Sequence, residues 1–382
     1  MKKVTIRDLN DFFENNLSKS VKNKKKLNLF YLNKMEYLTV SLYRLNDINY
    51  KIKKYNIFII YEPKLRIIMS LDLIDKLVNH YFTTTVLIPI IDPILEHRNV
   101  ATRKNKGTKA AIKYIKKDIE YFKKHNTFYY LKLDISKFFY NIDHEILKNM
   151  LYPLLDNDDF IRVCNIIDST DEKYINNKIN TLVKDDIPTF KYGKSLPIGN
   201  LSSQCLSIFY LDKLDKYIIH KLNLPHLTHY MDDFVIFSND KEKLKKALKL
   251  IREKLKKEFK LELNNKKTFI SNMSNGLNFL GYNFKVINNK TIVTVRKESY
   301  KKIKKNVKKI NYLFDKGIIP YSRYFATISN YTFSYKASIT KIRNYIDRNI
   351  WKWPLRPPTG CHEGFSITLL FPLYFYSLYI AT

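Results

Sequence analysis

The sequence predicts an α+β fold with an antiparallel central sheet. Strand-like runs rich in β-branched and aromatic residues alternate with amphipathic helical runs along most of the 382 residues. Two of the strand-like runs, YYLKLD and HYMDDFVIFS, end or turn on aspartates. A chain of this length accommodates about two to three domains with ordinary cores.

The first half of the chain supplies elements in a clear order. Residues 1–60 are predicted to be helical and basic, and they end in the strand-like YNIFIIY. EPKLRIIMSLDLIDKLVNHYF then changes from a turn and short strand to a helix, and the loop RKNKGT opens another amphipathic helix. TFYYLKLDISKFFYNIDHEIL follows as strand, turn and helix, with Asp143 as the predicted N-cap.

The second half continues the alternation after a polar interruption. Residues 156–190 are polar and are predicted to be irregular. YGKSLPIGNLSSQCLSIFYL is predicted as a Gly/Pro-bearing loop and helix, followed by the acidic hairpin HYMDDFVIFS. A basic helix, KEKLKKALKLIREKLKKEF, then precedes the strand-like LELNNKKTFI. From Arg296 to about Arg348 the chain is predicted to be helical and strongly basic.

The composition changes abruptly near the C-terminus. Residues 354–382 contain no Lys, Asn or Asp, and the last 18 residues, Phe365–Thr382, carry no charge. Three interpretations stay open: a membrane anchor made marginal by Pro372, a buried or partner-binding tail, and non-native coding such as a frameshift.

The overall charge favours a polyanionic partner. There are 68 Lys and Arg against 36 Asp and Glu, a net charge of +32. Nucleic acid is the favoured partner and an anionic membrane surface the alternative, although compositional drift toward Lys contributes. The three cysteines, Cys164, Cys205 and Cys361, are too few and too far apart for a disulfide framework or zinc site. Because the N-terminus also lacks a signal-peptide core, a cytoplasmic location is expected.

The paired aspartates require a compensating partner. Asp232 and Asp233 lie inside an apolar strand-like run, where repulsion and lost solvation cost on the order of several kcal/mol. Asp134 ends a second such run. Carboxylates at neighbouring strand ends make an oxygen-rich pocket of the kind Mg²⁺ prefers, and two such ions support phosphoryl transfer. The alternative is a solvated turn, because Asp pairs are common in loops.

Five sequence blocks, in fixed order between about residues 55 and 345, resemble those of reverse transcriptases. LKLDISKFF and YMDDF resemble the two catalytic blocks, and LPIGNLSSQ the template- and nucleotide-positioning loop. LNNKKT resembles the block with a lysine near the triphosphate, and GLNFLGY the primer grip. The resemblance implies a right-hand polymerase fold with a helical thumb. The implied parts are fingers at 1–125, a palm at 126–295 with a fingers-like insertion at about 156–192, a thumb at 296–350, and an apolar tail at 351–382 of uncertain role.

The same resemblance implies catalytic roles. Its metal ligands, for two Mg²⁺ with Mn²⁺ as an alternative, are Asp134, Asp232 and the backbone carbonyl of Ile135. Asp233 is their acidic neighbour. Lys267, rather than the adjacent Lys266, aligns with the lysine that protonates the leaving pyrophosphate. A plain charge at a strand edge is the alternative for that lysine.

Substrate and nucleic-acid contacts are implied as well. Lys64 and Arg66 would grip the triphosphate, and Phe139 would lie beneath the sugar and exclude a 2′-hydroxyl. Solvated cations and a core phenylalanine are the ordinary alternatives. The implied nucleotide-positioning residues are Pro197, Gly199, Asn200 and Gln204. The implied nucleic-acid contacts are Arg103, Lys104 and Lys106 before the first catalytic block and Leu280 and Gly281 in the primer grip. The basic helices after 296 would clasp an A-form-like hybrid.

The aliphatic Ile198, followed by a final SQ, resembles enzymes of diversity-generating retroelements and of phage-defence groups. The partners implied are an RNA template, a DNA or RNA primer, dNTPs, a dedicated structured RNA and a small basic accessory protein. Untemplated or tyrosine-primed synthesis stays an alternative, as does a non-catalytic, maturase-like RNA-binding protein.

Overall fold

A computed structural model describes residues 4–328 apart from 22, 53, 61–64, 126, 183–188, 322, 325 and 326. Lys64 and the apolar tail lie outside the described residues. The α-helices are α1 Ile6–Phe12, α2 Lys24–Leu32, α3 Lys34–Asn46, α4 Leu73–Phe82, α5 Ile88–Ile91, α6 Gly107–Phe122, α7 Phe138–Asn141, α8 His144–Leu151, α9 Asn157–Ile167, α10 Glu172–Leu182, α11 Leu201–Tyr210, α12 Asp212–Lys216, α13 Lys241–Glu258 and α14 Lys297–Asp315. The strands are β1 Asn56–Ile60, β2 Arg66–Ser70, β3 Tyr129–Asp134, β4 Leu227–Tyr230, β5 Asp233–Ser238, β6 Phe269–Asn272, β7 Leu277–Phe279, β8 Tyr282–Ile287 and β9 Lys290–Val295. Within these described ranges no helix is both long enough and apolar enough to span a bilayer.

A four-stranded sheet in the order β4-β5-β3-β6 forms the centre of the fold. Strands β4 and β5 are antiparallel, with Tyr230 opposite Asp233. All of β5 except Asp233 is buried, as its β-branched and aromatic composition predicts. The sheet therefore brings the acidic turn and the acidic end of β3 to neighbouring strands.

The antiparallel hairpin β1–β2 packs against α10, one of two helices that were not predicted from the sequence. Residues 156–190 were predicted to be irregular, and this prediction is wrong because α9 and α10 lie there. Asp156 caps α9 by accepting a hydrogen bond of 2.8 Å from the Asp159 N–H. Ile175 and Ile179, one turn apart on α10, pack with Ile67 and Met69 of β2 in one core cluster. Spaced isoleucines among polar residues were the overlooked helical signal.

The chain divides into two compact units. The first contains residues up to Ile115 and Leu131–Ile270, and it holds the hairpin and most of the four-stranded sheet. The second contains Lys116–Tyr130 and the described residues from Ser271 onward, with the sheet β7-β8-β9 and helix α14. The boundaries of fingers, palm and thumb stay predictions.

Candidate active site

The end of β3 and the β4–β5 turn form one acidic site. Asp134 is the last residue of β3 and is only 4% exposed. The next residue, Ile135, donates its backbone N–H to the Asp232 carbonyl over 3.1 Å. This bond ties the two predicted catalytic blocks together. It also places Ile135 at the site, while its carbonyl as a metal ligand stays a prediction.

The turn itself has an unusual backbone. Met231 and Asp232 connect β4 to β5, and Met231 has a φ of 59°. A left-handed conformation suits a two-residue hairpin turn, but for a residue other than glycine it costs on the order of 1 kcal/mol or more. The strained turn holds Asp232 and Asp233 at the end of the hairpin.

The ionised forms of the aspartates in the site repel one another. Burial raises the pKa of Asp232 to about 6, and the negative charges of Asp233 and Asp134 add to the effect. Burial likewise raises the pKa of Asp233. The site therefore has an excess of negative charge, as the sequence predicted, and a cation would relieve it.

The donor set fits a divalent cation bound together with a phosphate ligand. Among the described residues, no three His, Cys, Asp or Glu side chains are grouped closely enough to hold an ion by themselves. Mg²⁺ is commonly bound by one or two carboxylates, with substrate phosphates and water completing its shell. Asp134 and Asp232 match that pattern.

The two adjacent lysines differ in their surroundings. The Lys267 ammonium contacts the Asp134 carboxylate. Burial by itself would lower the pKa of Lys267, but the hydrogen bond and charge of Asp134 raise it overall. Lys266 is exposed, and its backbone N–H bonds to the Asn264 side chain over 3.1 Å. The geometry thus brings Lys267, and not Lys266, to the carboxylates.

The LPIGN loop, residues 196–200, is hydrogen-bonded to Phe139 and to strand β2. The Leu196 N–H donates to the Phe139 carbonyl over 2.8 Å, and the Met69 N–H of β2 donates to the Ile198 carbonyl over 2.9 Å. Gly199 has a φ of 125°, and a Cβ there would lie 3.2 Å from the Met69 carbonyl oxygen. Only glycine fits this approach without strain. The loop, the β2 strand and the Phe139 turn consequently form one assembly.

The remaining predicted substrate residues lie on or near this assembly. Pro197 and Asn200 are buried in the loop, and Gln204 is half-buried on α11. Phe139 is half-buried on α7, and Arg66 is exposed at the start of β2. Their contacts with nucleotide stay predictions.

The predicted nucleic-acid residues before α6 have different surroundings. The Arg103 side chain is 7% exposed, and its guanidinium bonds to Asp92 and to the carbonyls of Glu96 and Asn99. These bonds hold the loop together, and contact of Arg103 with nucleic acid stays a prediction. Lys106 donates to the His97 carbonyl over 2.9 Å, whereas Lys104 is exposed.

The predicted primer-grip residues belong to the second compact unit. Leu280 and Gly281 form the tip of the β7–β8 hairpin, with φ values of 46° and 82°. Positive φ at both central residues is typical of a tight two-residue turn. The Gly281 carbonyl accepts a bond of 3.0 Å from the Arg296 N–H, just before α14. Contact with primer stays a prediction.

Two buried histidines were missed by the sequence analysis. His229 bonds to the Met231 carbonyl in the β4–β5 turn, and His144 bonds to the Ser195 carbonyl over 2.6 Å, next to the LPIGN loop. The available signal was a histidine inside or beside an apolar run, where a buried polar ring needs partners.

Comparison with known proteins identifies the chain's relatives. A family model described as reverse transcriptase (RNA-dependent DNA polymerase) matches residues 52–284, more than half of the 382. The chain belongs to the reverse transcriptase family. The predicted α+β class and right-hand polymerase fold are thereby confirmed. No match to a curated protein was found.

Solved structures similar to this reverse transcriptase include telomerases. Apo telomerase from Candida tropicalis, truncated from its C-terminal domain, is 16% identical with a TM-score of 0.45, covering 63% of this chain and 55% of that one. Telomerase from Candida albicans, in complex with a TWJ fragment of telomeric RNA, is 14% identical with a TM-score of 0.42, covering 70% and 50%. The matched part thus spans about half the length of those chains.

Proposed function

We propose that this chain is an RNA-directed DNA polymerase that adds deoxynucleotides to a primer 3′-hydroxyl opposite an RNA template. The observation that carries the proposal is the gathering of Asp134, Asp232 and Asp233 at the adjoining ends of the neighbouring strands β3 and β5, with Lys267 in contact with Asp134. A protein that only binds RNA gains nothing from a group of mutually repelling, largely buried carboxylates.

The residues of the site divide the work as follows. Asp134 and Asp232, with the Ile135 carbonyl, would hold two Mg²⁺ ions, which align the attacking hydroxyl and stabilise the leaving oxygen. Lys267 delivers a proton to the pyrophosphate. Phe139, held through the bond from the Leu196 N–H to its carbonyl, selects the sugar. Arg66 on β2 grips the triphosphate beside the loop that positions the base.

The proposed setting is a bacterial or phage diversity-generating retroelement in the cytoplasm, with a structured RNA and a small basic accessory protein as partners. The aliphatic Ile198 supports this setting, because its side chain packs against a base pair without hydrogen bonding to it. A defence-associated enzyme is the second candidate, favoured by the same residue.

Primer extension with the purified full chain, Mg²⁺ and dNTPs on an RNA template tests the proposal. DNA that requires template and is lost in Asp232→Asn, while RNA binding persists, is the expected result. Lys266→Ala is the matched control, because it changes a charge beside the site without touching the carboxylates. Product without template would replace the proposal with untemplated synthesis. No product from the wild type, with RNA binding intact, would favour the maturase-like protein.

A further inference from the structure

The side chain of His229 is a completely buried imidazole. It lies next to the turn of Met231 and Asp232 between β4 and β5, called the catalytic turn below. Its side chain is 0% exposed on β4, and its ring stacks on Phe234 with a centroid distance of 3.9 Å and an interplanar angle of 9°. The backbone of His229 is fixed too, because its N–H donates to the Arg98 carbonyl and its carbonyl accepts from the Val100 N–H, each over 3.0 Å. Neither ring nor backbone can shift without disturbing the core.

Both ring nitrogens of His229 face acceptor atoms. Nε2 lies 2.5 Å from the Met231 carbonyl oxygen, and Nδ1 lies 2.7 Å from Oδ2 of Asp215. A carbonyl oxygen only accepts, so Nε2 carries a proton and donates. Nδ1 and Oδ2 of Asp215 are close enough that a proton on one of them makes a hydrogen bond to the other. The imidazole therefore links helix α12 to the apex of the catalytic turn.

Asp215 is anchored as firmly as the histidine. Its side chain is 0% exposed, and its Oδ2 also accepts a hydrogen bond of 3.1 Å from Nδ2 of Asn99. Its other oxygen, Oδ1, is buried without a hydrogen-bond partner among the described residues, so the bonds of Oδ2 to His229 and Asn99 hold this carboxylate in place. The hydrogen bonds thus run from Asn99 through Asp215 and His229 to the carbonyl of Met231. The backbone of Met231 is left-handed, with a φ of 59°.

We infer that Asp215 and His229 are a positioning pair for the polymerase reaction, holding the Met231 carbonyl so that the strained turn presents Asp232 and Asp233 in one orientation. The inference rests on the proposed function. It assigns the pair no contact with substrate. Strained backbone persists where its surroundings over-determine it, and the bond from Nε2 supplies that constraint at the turn. Misplacing a catalytic group by about 1 Å can cost about 100-fold in rate.

Replacing His229 with Gln or with Asn, which differ by one methylene, distinguishes the contact of Nε2 with the Met231 carbonyl from the contact of Nδ1 with Asp215. The amide of Gln reaches the place of Nε2, whereas the amide of Asn reaches only that of Nδ1. Both changes are made with Asp215→Asn, so that neither protein carries a lone buried charge: Asp215→Asn/His229→Gln and Asp215→Asn/His229→Asn. His220→Asn is the matched control, since His220 pairs with Glu96 over 2.7 Å and is 62% exposed.

Single-turnover primer extension over a range of dNTP concentrations gives the decisive readout. We expect the Asn variant to lose about 100-fold in kcat with the dNTP KM within about 3-fold. The Gln variant should recover part of the loss, because it keeps a donor to the Met231 carbonyl but lacks the anchor that Asp215 gives the ring. His220→Asn should match the wild type. Equal kcat in the Gln and Asn variants, or a loss confined to KM, would overturn the inference.

Amide hydrogen exchange over residues 227–238 tests the pair without relying on activity. Faster exchange in the Asn variant than in the Gln variant, at equal thermal stability, supports the positioning role. Identical exchange in the two variants contradicts it. An inactive wild type would count against the proposed function alone, and the exchange comparison would still decide on the pair.

Discussion

Lys266 and Lys267 have the same charge and adjacent positions, yet only Lys267 contacts a carboxylate of the candidate active site. We expect Lys267→Ala to slow nucleotide incorporation by about 100-fold or more, because it removes both the proposed proton donor and the partner of Asp134. Lys266→Ala should stay within about 3-fold of the wild type. Single-turnover rates on a saturated primer–template measure both. Similar losses in the two variants would show that net charge, rather than contact with Asp134, matters.

The sequence predicted those residues of the site that lie in contiguous motifs. The neighbouring sequence alone marks Asp134, Asp232 and Asp233 as candidates, because a carboxylate at the end of an apolar strand is unusual by itself. Asp215 lies fourteen residues before His229, and only the packing of α12 against the hairpin brings the two together. The inward bonds of Arg103 could not be predicted either, because its partners Asp92, Glu96 and Asn99 are brought to it only by the fold of its loop.

At the scale of elements, the approach of the LPIGN loop to β2 depends on the absence of one side chain. We expect Gly199→Ala to destabilise the protein by about 1–3 kcal/mol and to raise the dNTP KM, because its Cβ would press on the Met69 carbonyl at 3.2 Å. Gly193→Ala is the matched control, with a φ of 66° and nothing within 4 Å of the added Cβ. Urea unfolding and dNTP titrations compare the two. A KM that rises equally in both would rule out the contact with β2 as the cause.

Helices α8 and α9 are joined to the segment before LPIGN by a second histidine. Nδ1 of His144 lies 3.1 Å from the Asp168 carboxylate, and Nζ of Lys148 lies 2.8 Å from it. Burial alone would raise the pKa of Asp168, but the hydrogen bonds from His144 and Lys148 and their charges lower it overall. A lowered pKa in the folded state means that the carboxylate stabilises the protein at neutral pH.

That stabilisation should disappear in acid. It is fully present above the unfolded-state pKa, near 3.8, and is lost as the pH falls through the lower folded-state value. We expect Asp168→Asn to be less stable than the wild type at neutral pH, by less than about 1 kcal/mol because the carboxylate is 42% exposed. The difference should narrow toward about pH 2 in urea unfolding. Asp158→Asn, an exposed change on α9, is the control, and a constant difference at all pH values would exclude linkage through Asp168.

Most strand signals and helical basic runs of the sequence correspond to elements in the structure, because each has a strong period of its own. The predicted strand LELNNKKTFI is an exception, since only its last two residues belong to β6 and Leu263 forms an isolated bridge. The basic run from Arg296 is helical as α14 to Asp315, and its part beyond residue 328 lies outside the described residues.

The polar segment at 156–190 did not reveal α10, since only Ile175 and Ile179 of that helix pack into a core cluster that β2 completes. Helix α9 was missed although Val163 and Ile167, one turn apart and both buried, give it a helical pattern. Amphipathic patterns of so few apolar residues become recognisable only once the surface they pack against is known.

For the molecule as a whole, the net charge of +32 leaves open which surface meets nucleic acid. Helix α14 packs Ile303 and Val307 inward, and Lys301, Lys305 and Lys308 are exposed. The predicted thumb role requires these lysines to neutralise phosphates. If they instead reflect compositional drift toward Lys, replacing them should have the same effect as replacing exposed lysines on any other basic helix. Helix α13 offers that comparison, with Lys246, Lys249 and Lys256 exposed.

Salt dependence distinguishes the two cases, because each neutralised phosphate releases condensed counterions. Replacing Lys301, Lys305 and Lys308 with Ala should reduce the slope of log affinity against log salt by about 2 to 3 for an RNA–DNA primer–template. The triple replacement of Lys246, Lys249 and Lys256 should reduce it by less than about 1. Fluorescence anisotropy between about 50 and 200 mM salt measures both slopes. Equal reductions of the slope would mean that the basic residues attract nucleic acid through net charge alone, and would contradict a specific contact between α14 and the primer–template.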